Sequence, residues 1–400
     1  MPLPPFLTMD QLDVSGRIVL LRADLNVPVQ DGKVMDTSRI DRLQPTIQSL
    51  HSRGAKCVVM AHFGRPKGVD DSQSLRHILP ALRASWGQPV AFAADCIGDI
   101  AQNAVKGMRN GDILLLENLR FHEGEEKNDP RFTAALAALG DIYINDAFSA
   151  AHRAHASTAG LAKLLPAAAG LLMQEELNAL FQILDAPERP LGAIVGGAKV
   201  STKLDLLGNL TRKVDILMLG GAMANTFLCA SGVSVGTSLV ETDMVATARQ
   251  IMDNAMRNNC RIVLPVDAVC AAELAADQQI AIHPVIGIPG NLMILDIGPE
   301  SRAAFCDEIA ACRTLVWNGP VGAFETSPFE AGTTAIATFI ADRVASGTLC
   351  AVAGGGDTVS ALDMAGQSDG MSYTSTAGGA FLEWLEGKVL PGIAALMKAR

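Results

Sequence analysis

The chain has 400 residues, 49% apolar but only 4% aromatic, with a formal net charge of −10. At ~100–200 residues per domain, that length predicts two or three domains, with cores of Ala, Val, Leu, Ile and Met that suit buried parallel strands under Ala-rich helices. The negative field disfavours nucleic acid and acidic membranes as general partners.

Residues 1–10 have no basic or apolar signal region, and no apolar run reaches the ~20 residues of a membrane helix. The eight cysteines form no Cys-x-x-Cys and no ligand-like pairing with histidine, so they read as reduced thiols in a cytoplasmic protein.

Short apolar runs alternate with helical patterns. In the first half, strands are predicted at Ile18–Ala23, Lys56–Ala61, Ile113–Glu117 and Ile142–Asn145. Helices are predicted near Ser38–Arg53, Ser74–Trp86, Ile100–Met108 and Pro130–Leu139. In the second half, strands fall at Leu191–Val195, Asp215–Leu219, Arg261–Val266, Thr314–Trp317 and Cys350–Ala353. Helices intervene near Val200–Arg212, Asp243–Arg257 and Phe329–Val344. Such alternation implies right-handed βαβ units and parallel sheets. Between the halves, Gln174–Leu184 reads as a polar-faced helix, followed by the charged, Pro-rich Asp185–Pro190: a hinge helix and linker. The expected division is 1–173, 174–189 and 190–387. Periodicity alone leaves open which half takes the last helix, after Pro391.

Ligands of parallel α/β sheets bind beyond the carboxyl ends of the strands. In the first half these ends run into Arg22-Ala-Asp24-Leu-Asn26-Val-Pro28, His62-Phe-Gly-Arg65-Pro66, Glu117-Asn-Leu-Arg120-Phe-His122 and Asn145-Asp146-Ala-Phe-Ser149. His152-Arg153-Ala-His155 follows, and Arg39 lies just before a helix. Guanidinium groups suit two-pronged binding of phosphate or carboxylate. One such Arg is ordinary loop chemistry; several along one sheet edge point to an anion site.

The second half ends its strands in glycine: Gly196-Gly-Ala-Lys199, Gly220-Gly-Ala-Met-Ala-Asn225, Asn318-Gly-Pro320-Val-Gly322 and Gly354-Gly355-Gly356-Asp357-Thr358. Glycine lets a phosphate approach the backbone, and a following helix N-terminus attracts anions. Lys199 and Lys203 are spaced i, i+4 and are expected to share the first turns of a helix, where cations oppose the dipole unless an anion sits between them. Asp357 reads as a Mg²⁺ ligand beside bound phosphates, as the N-cap of the next helix, or as both. Neither a Walker A loop nor a G-x-G-x-x-G fingerprint occurs.

Taken in order, Arg22–Pro28, His62–Pro66, Glu117–His122, Asn145–Phe148, His152–His155, Gly196–Val200, Trp317–Glu325, Gly354–Thr358 and Ser375–Gly392 resemble the phosphoglycerate kinase family over nearly the whole chain. The resemblance implies an α/β monomer of two Rossmann-like domains with parallel sheets joined by a hinge helix, segment 388–400 packing back on the first domain. It assigns Asp24, Asn26, Arg39, His62, Arg65, Arg120 and Arg153 to 3-phosphoglycerate. To the nucleotide side it assigns Lys199, Lys203, Asn318, Glu325 (ribose), Gly354, Gly355, Gly356, Asp357 (Mg²⁺) and Thr358. The implied partners are small molecules: ADP/ATP, 3-phosphoglycerate and 1,3-bisphosphoglycerate. Leu25, Ser149-Ala150 and Ala377 depart from the family's usual Phe, Gly-Thr and Gly.

The implied acceptor is a carboxylate, ionised at neutral pH with a pKa near 3.5, so no general base is required. What remains is alignment and charge neutralisation, with Arg39 and Lys203 the expected catalytic groups, one from each domain. A hinged binding protein would also have two α/β lobes, but would not need Lys199, Lys203 and Asp357. An inactive relative would have lost charged site residues, and none is missing.

Overall fold

The computed structural model describes residues 6–30, 32–184, 186–375 and 377–397. The chain forms two compact units, one comprising 1–178 with 389–400, the other 179–388. The division falls inside a helix, Leu171–Leu184.

In chain order the strands of the first unit are β1 (Ile18–Arg22), β2 (Val29–Gln30), β3 (Lys33–Val34), β4 (Lys56–Met60), β5 (Val90–Ala93), β6 (Ile113–Leu116), β7 (Ile142–Asn145) and β8 (Ala167–Ala169). Six of them form one sheet in the order β5-β6-β4-β1-β7-β8, with every pairing parallel. β2 and β3 form a small antiparallel hairpin. The central strands are near-continuous apolar runs because helices cover both faces. Leu21, Val59, Leu115 and Ile144 pack with Ile40, Leu43 and Ile47 of helix Ser38–Ser52. Local chemistry sets the boundaries: Asp129 caps helix Pro130–Ala137 by accepting from the Arg131 and Phe132 amides, both at 2.9 Å.

Residues 389–397 complete this unit. The Gly392 amide donates to the Ala151 carbonyl at 2.8 Å, and Phe6 bridges Met397.

The second unit contains β9 (Leu191–Val195), β10 (Ile216–Leu219), β11 (Arg261–Val263), β12 (Asp267–Ala271), β13 (Ala281–Pro284), β14 (Met293–Ile297), β15 (Thr314–Asn318), β16 (Cys350–Gly354) and β17 (Tyr373–Ser375). Its main sheet runs β11-β10-β9-β15-β16-β17 and is also parallel. Ile194, Met218 and Trp317 pack with Phe305, Ile336 and Ile340 in its core.

A second sheet, β13-β12-β14, is antiparallel and departs from the all-parallel expectation. Other elements also differ from the reading of the sequence. β5, β8 and β17 lie outside the anticipated strands, the 74–86 helix divides into a 3₁₀ turn (Leu75–Ile78) and an α-helix (Leu79–Trp86), and the hinge helix begins at Leu171 instead of Gln174. All eight cysteines are free thiols. Among the described residues, no helix is long and apolar enough to cross a membrane.

Candidate functional site

Parallel register brings the carboxyl ends of β1, β4 and β7 level, with Arg22 opposite Met60 on one side and Asn145 on the other. The loops leaving these strands form a basic cluster. Arg39 donates to Asp24 Oδ2 at 2.8 Å and to the Asn26 carbonyl at 3.2 Å. Ser149 donates to the same Asp24 oxygen, so the serine of the departing Ser-Ala pair helps fix that carboxylate. Asn26 Oδ1 accepts from the Gly64 amide at 2.9 Å, and the Gly64 carbonyl accepts from Arg120 at 2.7 Å. This stitches the loops after β1, β4 and β6 together. Arg120 Nε lies 3.1 Å from Glu126 but is not aligned for a hydrogen bond. Arg153 donates to His152 Nε2 at 3.1 Å. Arg65 is exposed and makes no ion pair among the described residues.

Arg22 lies beneath, only 1% exposed. Its guanidinium donates to Ser157 Oγ at 2.8 Å, to the Ala23 carbonyl and to His62 Nδ1 at 2.9 Å. Burial drives the His62 pKa far below the histidine range; Arg22, Arg120, His155 and Arg153 push it the same way. His62 is therefore neutral at pH 7. Burial, then Arg120 and Arg22, lowers His155 to about 4. Arg22, Ser157, His155 and Glu125 were not singled out as site residues from sequence. Arg22 was visible, since it ends β1 and opens a quoted motif. Glu125 sits in an acidic run resembling a solvated helix, and Ser157 lies in a π-turn, Ala156–Gly160, with no sequence signature.

In the second unit the glycine turns interlock. A Cβ on Gly196 would come 1.9 Å from the Pro320 carbonyl oxygen, and Gly319, at φ +100°, would place one 2.4 Å from the Gly196 oxygen. Only glycine fits such an approach. Lys203 Nζ donates to Asn318 Oδ1 at 2.7 Å and to the Asn318 carbonyl at 3.1 Å. Burial pulls its pKa down to about 8, against an opposing pull from Asp357.

Two expectations need correction. Lys199 and Lys203 do not share a helix face: Lys199 is in an exposed loop, a 3₁₀ turn spans Ser201–Lys203, and the α-helix begins at Leu204. Asp357 is not the N-cap. Gly355 holds that place, leaving Asp357 exposed in the first turn of Gly356–Met364. Asn318 and Thr358 face inward. The Asn318 amide nitrogen donates to the Gly354 carbonyl at 2.7 Å. The Thr358 hydroxyl donates to the same carbonyl at 2.9 Å and accepts from the Gly319 amide at 2.7 Å. Gly354 is packed under Phe381, whose ring a Cβ would meet at 2.5 Å.

A pocket of about 570 Å³ opens beside these turns. Gly197, Gly221 and Asp357 line its polar part; Leu228, Leu239, Met293 and Phe324 line its apolar part, and the exposed Glu325 is also at its wall. Lys199, Lys203, Asn318, Gly354, Gly355, Gly356 and Thr358 are not part of that lining. The apolar wall went unnoticed in the sequence because it comes from separate strands and helices. Its size falls in the range of small-molecule sites, which are mostly apolar with a few placed polar groups.

A basic strand-end cluster in one α/β unit and a glycine-walled, partly apolar pocket in another define a two-unit α/β protein suited to phosphorylated small molecules. The family model for phosphoglycerate kinase matches residues 9–388. The phosphoglycerate kinase of Sinorhizobium fredii is 58% identical over 397 residues, covering 99% of this chain and 100% of that protein. That of Rhodospirillum centenum is 57% identical over 392 residues, covering 98% and 99%. Among solved structures, phosphoglycerate kinase from Coxiella burnetii matches with a TM-score of 0.91 at 41% identity, covering 98% of this chain and 99% of that one. The Pyrococcus horikoshii enzyme matches at 0.80 with 29% identity, covering 98% of each. The chain belongs to the phosphoglycerate kinase family, and is thus a nucleotide-binding kinase of glycolysis.

Proposed function

We propose that the chain transfers a phosphoryl group reversibly between 1,3-bisphosphoglycerate and ADP, giving 3-phosphoglycerate and ATP, with the acid bound on the first unit and the nucleotide on the second. The carrying observation is the segregation of the two chemistries: Arg39, Arg65, Arg120, Arg153 and His62 gather at strand ends of one unit, while the pocket with apolar and glycine walls lies wholly in the other.

On the acid side, Asp24 and Asn26 orient Arg39 and the Gly64 loop, and the arginines supply charge for phosphate and carboxylate. In the nucleotide pocket, Leu228, Met293 and Phe324 offer an apolar slot for a base, Glu325 a carboxylate for ribose hydroxyls, and the glycine turns a backbone approach for phosphates. Asp357 fits Mg²⁺: it is an exposed carboxylate, a hard oxygen donor of the kind that holds this ion together with substrate phosphates. When bound, the ion would offset phosphate charge.

The acceptor carboxylate is already ionised at neutral pH, which suits a cluster whose histidine is held neutral. Arg39 and Lys203 supply positive charge to the transferring group in an in-line displacement. Acyl phosphates hydrolyse readily, so hinge closure of the two units would exclude water during transfer. A monomer in the cytoplasm completes the reading; sedimentation velocity showing a stable dimer would correct it. The direct test of function is ATP formation from 1,3-bisphosphoglycerate and ADP with Mg²⁺. A folded protein that forms none would overturn the proposal.

A further inference from the structure

The basic cluster rests on a buried relay that the transfer reaction does not itself require. Glu125 is 0% exposed and accepts from both the Ser157 amide, at 3.0 Å, and the Ser157 hydroxyl, at 2.5 Å. With its own O–H donated to Glu125, the same hydroxyl accepts from Arg22 Nε through a lone pair at 2.8 Å. Arg22, anchored further on the Ala23 carbonyl, directs its remaining terminal nitrogen at His62 Nδ1, 2.9 Å away. The Tyr143 hydroxyl donates to the Ser157 carbonyl at 2.6 Å and holds the turn in place. His155 Nδ1 stands 3.7 Å from Glu125, closing the acidic end.

A guanidinium has five N–H donors and no acceptor. His62 Nδ1 must therefore carry the lone pair in the Arg22 contact. A neutral ring with a lone pair on Nδ1 has its proton on Nε2. The opposite tautomer would turn a lone pair toward a bound anion and repel it.

We propose that Ser157 and Glu125 are positioning residues for His62: through the Arg22 guanidinium they fix the tautomer in which Nε2 presents a hydrogen-bond donor to the bound phosphoglycerate. The relay also places a buried carboxyl group opposite a buried guanidinium with a hydroxyl between them, so the cationic floor of the cluster has its own internal counter-charge. The arginines above it stay available to the ligand. This inference rests on His62 belonging to the 3-phosphoglycerate site.

The test is ¹⁵N NMR of the imidazole nitrogens in the intact protein at pH 7, which separates the two neutral tautomers and the cation. In the unaltered protein His62 is expected as the pure Nε2–H form. A cationic ring or an Nδ1–H form overturns the proposal, whether or not any variant folds. Ser157→Ala removes the hydroxyl bridge; its His62 signals are expected to move toward a mixture of tautomers. Calorimetric affinity for 3-phosphoglycerate is expected to fall roughly tenfold, the lower end for losing a hydrogen bond to a charged group, with ADP affinity unchanged. Glu125→Gln, close in volume, is expected to show a smaller change in the same direction. Unchanged His62 signals in a folded Ser157→Ala protein refute the relay. Shifted signals with unchanged 3-phosphoglycerate affinity uphold the relay and instead remove His62 from the substrate site.

Discussion

Replacing Lys203 with Met keeps most of the side chain's length and removes its charge. Burial lowers the Lys203 pKa from 10.5 to about 8, a difference of about 2.5 units, or ~3 kcal/mol disfavouring the charged form. Deleting the ammonium relieves that cost but leaves Asn318 Oδ1 without its donor, while the Asn318 carbonyl keeps the Gly196 amide at 3.0 Å, and an orphaned buried acceptor costs ~1–3 kcal/mol. The two terms nearly cancel. Unfolding by urea should therefore give a stability within about 2 kcal/mol of the parent, while kcat falls on the order of 10²–10³ and calorimetric affinities for ADP and 3-phosphoglycerate barely move, as expected for a contact strongest in the transition state.

The unaltered enzyme carries a pH signature of the same group. The cation is present below about pH 8, so kcat/KM should decline as pH rises through that value. Because the folded pKa lies below the unfolded one, the folded state binds fewer protons between about pH 8 and 10.5, and stability should rise across that window. An alkaline limb near 10 would refute the desolvation argument. Retained kcat with weakened ADP binding would make Lys203 a ground-state ligand and refute its catalytic role.

Arg65→Ala or Arg153→Ala should weaken 3-phosphoglycerate binding at least tenfold by calorimetry and leave ADP affinity intact; unchanged 3-phosphoglycerate binding in both would disprove the assignment to the acid site. Asp357→Asn should abolish most Mg²⁺-dependent turnover. It should also shift the alkaline limb of Lys203 below about 8, because it removes the Asp357 charge that favours the ammonium; full activity at ordinary magnesium would exclude the metal role. Gly196→Ala forces a methyl to within 1.9 Å of the Pro320 oxygen and should cost ~1–3 kcal/mol or more, lowering Tm by several degrees and impairing ADP binding. A Tm equal to the parent's would show that the interlocked turns can yield.

Elements carried by long apolar runs were legible in the sequence. Ile142–Asn145 and Leu191–Val195 are strands with those same bounds, because continuous β-branched and Leu-rich stretches have few other places to be buried. β8 is three alanines, residues depleted in strands, and it is a strand only because β7 and Thr8 supply its partners. The antiparallel sheet was missed for a related reason: β13 is half exposed and its sequence, AIHP, carries a proline and little hydrophobic weight. In the site, Arg and Gly at strand ends announced themselves through residue type. The Lys199/Lys203 spacing misled because i, i+4 places residues on one face only if the helix has already begun, and here it starts after Lys203. Glu125 acquires meaning only through its contact with Ser157, 32 residues away, and Ser157 through that contact and the one with Arg22, 135 residues away.

The return of residues 389–397 to the first unit has a consequence for how the protein is made. The segment that bonds Ala151 and Phe6 is separated from residue 178 by the whole of the second unit. At ~5–20 residues per second on the ribosome, roughly 10–40 s pass between synthesis of the first unit's main portion and arrival of its closing piece. During that interval the π-turn at Ala156–Gly160, against which the returning helix Pro391–Ala394 packs, has an uncovered flank. The half of the enzyme translated first is thus the half finished last, and the basic cluster built on that turn acquires its final support only after the second unit has been synthesised.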